Sequence, residues 1–174
     1  RYNSAKVIRI ITGVYLFFTV AACLSLWAAG MDFFDALNHA FSLAATGGFS
    51  TRNESIGYYH SDLINIVVMI YMAICALHFG LVYAVFVTRS LKPMNNTVVR
   101  YYFGSISVAS LIVALSLMYQ GDYSSWGRAL MDSSFTIVSY MSTAGFGICD
   151  NSTWPWLAGL VLLFVSFQCG CSGS

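Results

Sequence analysis

Charge is what this sequence has least of. Only 9% of its 174 residues are Asp, Glu, Lys or Arg, against 58% apolar residues and a mean hydropathy of +0.71. Too few charges remain to clothe a soluble surface of ordinary mix, which excludes a typical water-soluble domain and makes a bilayer the natural solvent. Catalytic signatures are missing as well. No Gly-x-Ser-x-Gly elbow occurs, no nucleotide loop carries a lysine, and nothing brings Ser, His and Asp together, so an enzyme is not expected. Metal-ligand spacing is also lacking. The five cysteines, Cys23, Cys75, Cys149, Cys169 and Cys171, are odd in number and lie mostly in apolar runs, without His or carboxylate partners near Cys169 and Cys171. They read as structural thiols. His39, His60 and His78 share no spacing with the cysteines or with one another and read as packed or capping residues, although an intramembrane His78 could face a cavity.

What the chain does have is four charge-free windows, from Ile10 to Met31, Leu63 to Thr88, Tyr101 to Gly121 and Asn151 to Ser174. Each meets the roughly 20 residues needed to cross about 30 Å of hydrocarbon, so four spanning helices are expected. The first window is too long for the h-region of a signal peptide, and none is expected. The last run stops without a basic flank, as in a piece of a longer protein.

The net charge of +1 hides a segregation. Arg1, Lys6, Arg9, Arg89, Lys92 and Arg100 flank one set of helix ends, and only Arg52 and Arg128 lie elsewhere. By the positive-inside rule the N-terminus and the 89–100 connection are cytoplasmic. All seven acids, Asp32, Asp35, Glu54, Asp62, Asp122, Asp132 and Asp150, then fall on the opposite side. Any one of them suits a helix cap or a loop end. Their shared side predicts a negative mouth that concentrates cations.

Between the long windows lie two short apolar stretches, Phe33 to Ala45 and Arg128 to Ser142, each followed by small residues: Thr46-Gly47-Gly48-Phe49-Ser50 and Thr143-Ala144-Gly145-Phe146-Gly147. An offset of 97 superposes Asp35 on Asp132, Ser42 on Ser139, Thr46 on Thr143, Gly48 on Gly145, Phe49 on Phe146 and Ser55 on Ser152. This is an internal repeat. Irregular backbone at membrane depth must line a wet cavity or be buried in protein, so the loops face a pore or a packed interior. Close helix packing through small residues would explain either loop alone. Two loops in register behind matching short helices favour a pore whose backbone carbonyls strip a cation of water.

Residues 1–88 therefore form one pore-loop unit, with an outer helix over about 7–31, a pore helix over about 33–45, a filter over 46–50 and an inner helix over about 62–88. A cytoplasmic linker occupies 89–100. The second unit, 101–174, has an outer helix over about 101–120, a pore helix over about 128–142, a filter over 143–147 and an inner helix over about 155–174. The fold class is an all-α membrane protein built from tandem repeats of potassium-channel type.

Three separated strings carry a family likeness: Ala45-Thr46-Gly47-Gly48-Phe49-Ser50-Thr51; Ser142-Thr143-Ala144-Gly145-Phe146-Gly147 with Trp154-Pro155; and Gly170-Cys171-Ser172-Gly173-Ser174. Together they resemble the Trk/Ktr/HKT superfamily of potassium transporters and, within it, the bacterial TrkH branch. The resemblance implies four such units in one polypeptide around one potassium path, of which this chain holds the second and third. It implies filter positions at Thr46, Gly47, Gly48, Phe49, Thr143, Ala144, Gly145 and Phe146, with Gly48 and Gly145 marking potassium preference. Potassium, held only by filter carbonyls, is then the cargo, and no cofactor is expected. Gly170, Cys171, Ser172, Gly173 and Ser174 resemble the start of an intramembrane gating loop. Also implied are potassium uptake across the bacterial cytoplasmic (inner) membrane with filter loops facing outside, a homodimer, and a cytoplasmic nucleotide-binding regulatory subunit of TrkA/KtrA type. Nucleic acid is not an expected partner. Phenylalanine stands where channel loops carry tyrosine, so fewer ordered ion sites and weaker selectivity are expected. The alternatives are a non-conducting structural or assembly subunit of the membrane and a sodium-permeable cation channel.

Overall fold

The computed structural model describes residues 4–45, 48, 50–51, 55–59, 61–75, 89, 97–121, 123–142, 145–148 and 154–168. Among these residues the fold is all α, without strands: α1 (Ser4–Ala28), α2 (Phe33–Ala44), α3 (Asp62–Cys75), α4 (Thr97–Gln120), α5 (Trp126–Met141) and α6 (Trp156–Gln168), with a 3-10 turn at Ser55–Tyr59. The order long helix, short helix, loop, helix occurs twice.

Several hydroxyl groups in the long helices bond within their own helix, as an apolar solvent favours. Thr19 Oγ1 donates to the Tyr15 carbonyl at 2.7 Å, and Ser107 and Ser116 donate to Phe103 and Ile112 at 3.0 Å each. Both helices carry apolar residues outward on a helical stripe: Leu16, Val20 and Leu24 on α1, and Val108, Leu111 and Leu115 on α4, all more than half exposed. A core helix of a soluble protein would bury that stripe. The apolar windows Ile8–Ala28 and Val99–Gln120, of 21 and 22 residues, are long enough to cross a membrane. The described parts of the other two expected spans, α3 and α6, are shorter; their continuations towards 88 and 174 lie outside the described residues. α4 begins at Thr97, inside the segment expected as linker, because residues 97–100 contain no glycine or proline to stop the helix.

The short helices are built differently. α2 has 12 residues and α5 has 16; at about 1.5 Å per residue neither reaches across the hydrocarbon layer. In α2 the repeat Ala36, Ala40, Leu43 faces inward with no exposure, while Phe34 and Phe41 point out. Each short helix packs against the long helix before it and the helix after it.

The two units share their cores. Around Leu26, Ala36, Ala40, Leu43, Val68 and Met72 of the first unit close Phe135, Val138 and Phe146 of the second. Polar contacts cross the same boundary: Tyr102 donates to the Ala73 carbonyl at 3.0 Å, and Arg128 pairs with Asp62 at 3.0 Å. The ion pair is exposed and contributes roughly 0–1 kcal/mol. Closer lacing joins the turn Ser55–Tyr59 to the second loop, where Gly57 N donates to the Gly147 carbonyl at 3.0 Å and Gly147 N donates to Ser55 Oγ at 3.4 Å.

A methyl group at Gly57 would lie 2.8 Å from the Ile148 carbonyl oxygen, which is backbone and cannot swing aside. Gly57→Ala should therefore cost about 1–3 kcal/mol by overpacking. The check is thermal unfolding of the full-length protein in detergent; an unshifted transition would show that the turn does not lace the units together.

Candidate functional site

Both short helices end the same way. Ala45 and Ser142, 97 positions apart, close α2 and α5 with right-handed helical backbone, their N–H groups directed at carbonyls four and two residues earlier: Phe41 and Leu43 for Ala45, Val138 and Tyr140 for Ser142. Gly48 and Gly145, again 97 apart, then take φ of +75° and +83°. Only glycine enters that region without steric cost. The partly negative C-terminal end of each helix thus lies three residues before a positive-φ glycine.

In the first unit, side chains of α2 hold the far end of the loop. His39, fully buried, places Nδ1 2.7 Å from the Asp35 carbonyl and Nε2 2.7 Å from Ser50 Oγ. The Asp35 carboxylate accepts from Thr51 Oγ1 at 2.9 Å and from the Tyr59 hydroxyl at 3.0 Å. Desolvating a carboxylate is costly unless its oxygens are bonded, and here each of them is.

The second unit repeats the acid but not the clamp. Asp132 Oδ2 accepts from the Tyr123 hydroxyl at 2.6 Å, and Arg128 Nη2 lies 3.1 Å from Oδ1 as an ion pair lacking hydrogen-bond alignment. Its loop is held by Ser139, whose Oγ donates to the Phe146 carbonyl at 2.8 Å. The Phe146 ring is buried in the first unit's core, 6.1 Å from the His39 ring. The two loops thus meet at His39.

Of the expected filter residues, the described ones are Gly48, Gly145 and Phe146; Gly48 is half-buried and Gly145 exposed. Thr46, Gly47, Phe49, Thr143 and Ala144, together with 170–174, lie outside the described residues. Two of the acids expected at a negative mouth behave otherwise: Asp35 and Asp132 are 5% and 3% exposed and partnered, because they sit on the inward faces of α2 and α5. Asp32 and Asp62 remain exposed. Cys23 and Cys75 are buried in the two apolar cores, as expected for structural cysteines. Sequence reasoning gave His39 a packed role, as found, but missed its bond to Ser50, the bond from Ser139 and the seat of Phe146. A signal for Ser139 was present in its match to Ser42, but His39 has no repeat partner of its own kind.

This arrangement has relatives. The family model TrkH, "Cation transport protein", matches residues 3–174. The chain is 38% identical to Trk system potassium uptake protein TrkH of Escherichia coli K12 and 32% identical to TrkG of the same strain, over 92% of its own length in both cases. It spans about a third of those relatives, 34% and 33%. The crystal structure of the potassium transporter TrkH from Vibrio parahaemolyticus superposes with a TM-score of 0.90 at 34% identity, covering 98% of this chain and 37% of that one. That family is one of cation transporters rather than enzymes. A chain with this repeated helix, turn and helix pattern, matched from end to end by the family model, belongs to the TrkH family of cation transport proteins, all-α proteins of the membrane.

Proposed function

We propose that the chain supplies two filter segments of a potassium-uptake protein, residues 1–88 and 101–174 being successive pore-loop units joined by 89–100. The observation that carries the reading is the pair of positive-φ turns at Gly48 and Gly145, in register behind the ends of two short helices. The names of the relatives, potassium uptake proteins, agree with it. In this reading the carbonyls of Thr46 to Phe49 and Thr143 to Phe146 replace part of the ion's hydration, and the C-terminal ends of α2 and α5 add negative potential without any charged side chain in the path. Glycine keeps the path clear at the closest approach of backbone and ion.

Family likeness extends the proposal to the whole protein. Two further filters come from outside this chain, and Gly170 to Ser174 begin a glycine- and serine-rich gate below the filter. The basic N-terminus and 89–100 face the cytoplasm, and the loops face outward from the bacterial inner membrane. A homodimer and a nucleotide-binding regulatory subunit of TrkA/KtrA type complete the assembly.

The test uses the full-length parent protein in vesicles. Gly48→Ser and Gly145→Ser should each lower the potassium-to-sodium permeability ratio on the order of tenfold, equivalent to about 1.4 kcal/mol of lost discrimination. An unchanged ratio in both would remove the filter assignment, and tight, ion-silent vesicles from the unaltered protein would favour a structural subunit. Shortening the 170–174 segment should raise the potassium flux; equal flux would leave that segment without a gating role.

A further inference from the structure

We propose that His39 is a positioning residue shared by the two adjacent filter loops, holding the exit of the first through Ser50 and the seat of the second through Phe146. The inference rests on the filter reading above, and it concerns what sets the selectivity of that filter.

His39 has no exposed surface, and both ring nitrogens are committed. A carbonyl oxygen can only accept, so Nδ1 carries the proton towards Asp35 O one helical turn back, which fixes the ring on α2. Nε2 lies 2.7 Å from the Ser50 hydroxyl, which can bond it as donor or as acceptor. The ring's flanks are occupied as well. Tyr59 meets it edge-on with centroids 5.9 Å apart, and Phe146 of the other loop lies tilted at 6.1 Å. One side chain thus touches residues just past Gly48 in one loop and just past Gly145 in the next.

Internal symmetry shows that this is a device of one boundary rather than a general feature of the repeat. At the offset of 97, His39 falls on Thr136, Ser50 on Gly147 and Thr51 on Ile148, so the second unit has neither the imidazole nor the hydroxyls it would hold. The Gly147 end of that loop is instead bonded by Ser55 and Gly57 of the first unit's turn. That turn ends at Tyr59, whose hydroxyl is bound to Asp35, one turn before His39 on α2. Both loop exits therefore depend on the same face of the same short helix.

Reconstituted full-length protein, with the permeability ratio of potassium to sodium as readout, decides the point. His39→Phe and Ser50→Ala should each lower the ratio roughly three- to tenfold, the equivalent of one hydrogen bond. In double-mutant cycles His39→Phe should be non-additive with Ser50→Ala in the first loop and with Phe146→Leu in the second. His39→Gln, which keeps a polar group within reach of Ser50, should recover most of the ratio when Ser50 is present and none when it is Ala, a dependence that general destabilisation would not produce. Ser50→Ala removes a single oxygen and serves if His39→Phe does not fold. Additivity in either cycle, or a wild-type ratio in Ser50→Ala, overturns the shared role. Gly48→Ser separates the two levels: if it shifts the ratio while the His39 and Ser50 variants do not, this inference fails and the filter stands; if it does not shift the ratio, both fail.

Discussion

Backbone that is neither helix nor sheet cannot face lipid, and everything else in this molecule follows from finding partners for such backbone. The segments after α2 and α5 leave their helices through turns at Gly48 and Gly145 that break the regular bonding pattern. Without water or protein around them, each unpaired N–H or C=O in hydrocarbon would cost several kcal/mol. The fold answers with short helices that stop partway, hydroxyls that reach the loop carbonyls, as Ser139 does for Phe146, and a neighbouring unit whose turn bonds Gly147 directly. A loop reserved for an ion must still leave some carbonyls free.

The repeat is therefore symmetrical in backbone and unsymmetrical in side chains. Positive φ recurs at Gly48 and Gly145, and a buried acid recurs at Asp35 and Asp132, yet each acid meets different groups. Asp35 binds Thr51, beyond its own loop, and Tyr59 of the following turn. Asp132 binds Tyr123, ahead of its helix, and pairs with Arg128, which also reaches Asp62 of the first unit. A duplicated unit inside one polypeptide meets a different neighbour on each side, so each copy is free to diverge where it touches that neighbour. The backbone at the turns cannot diverge, since the same reversal is needed in both.

How much of this was legible in the sequence depends on range. The all-α membrane character was readable because composition averages over the whole chain, and an offset of 97 positions places matching residues in the two stretches that hold α2 and α5. Gly48 and Gly145 were legible for the same reason, glycine being the residue that a positive φ selects. His39 was not: its partners Ser50 and Phe146 lie 11 and 107 positions away, and nothing local marks a histidine that bonds a hydroxyl rather than a metal. Charge misled for Asp35 and Asp132, because counting acids on one side says nothing of which face of a helix each occupies.

The contact through Phe146 has a direction, and direction constrains assembly. The second loop inserts its aromatic ring into the core of the unit before it in sequence, so the surfaces that meet are unlike: a loop on one side, a packed helix face on the other. Unlike surfaces repeated by rotation either close into a ring or continue without end. On the proposed reading two units make one such contact, and a closed ring needs a further loop and a further receiving face. Since it spans only about a third of its relatives, there is length in such proteins for further units to take up both. On the proposed reading, the same head-to-tail contact that buries Phe146 is what brings successive carbonyl turns around a single axis, and a closed ring of these contacts is what fixes the width of the path between them.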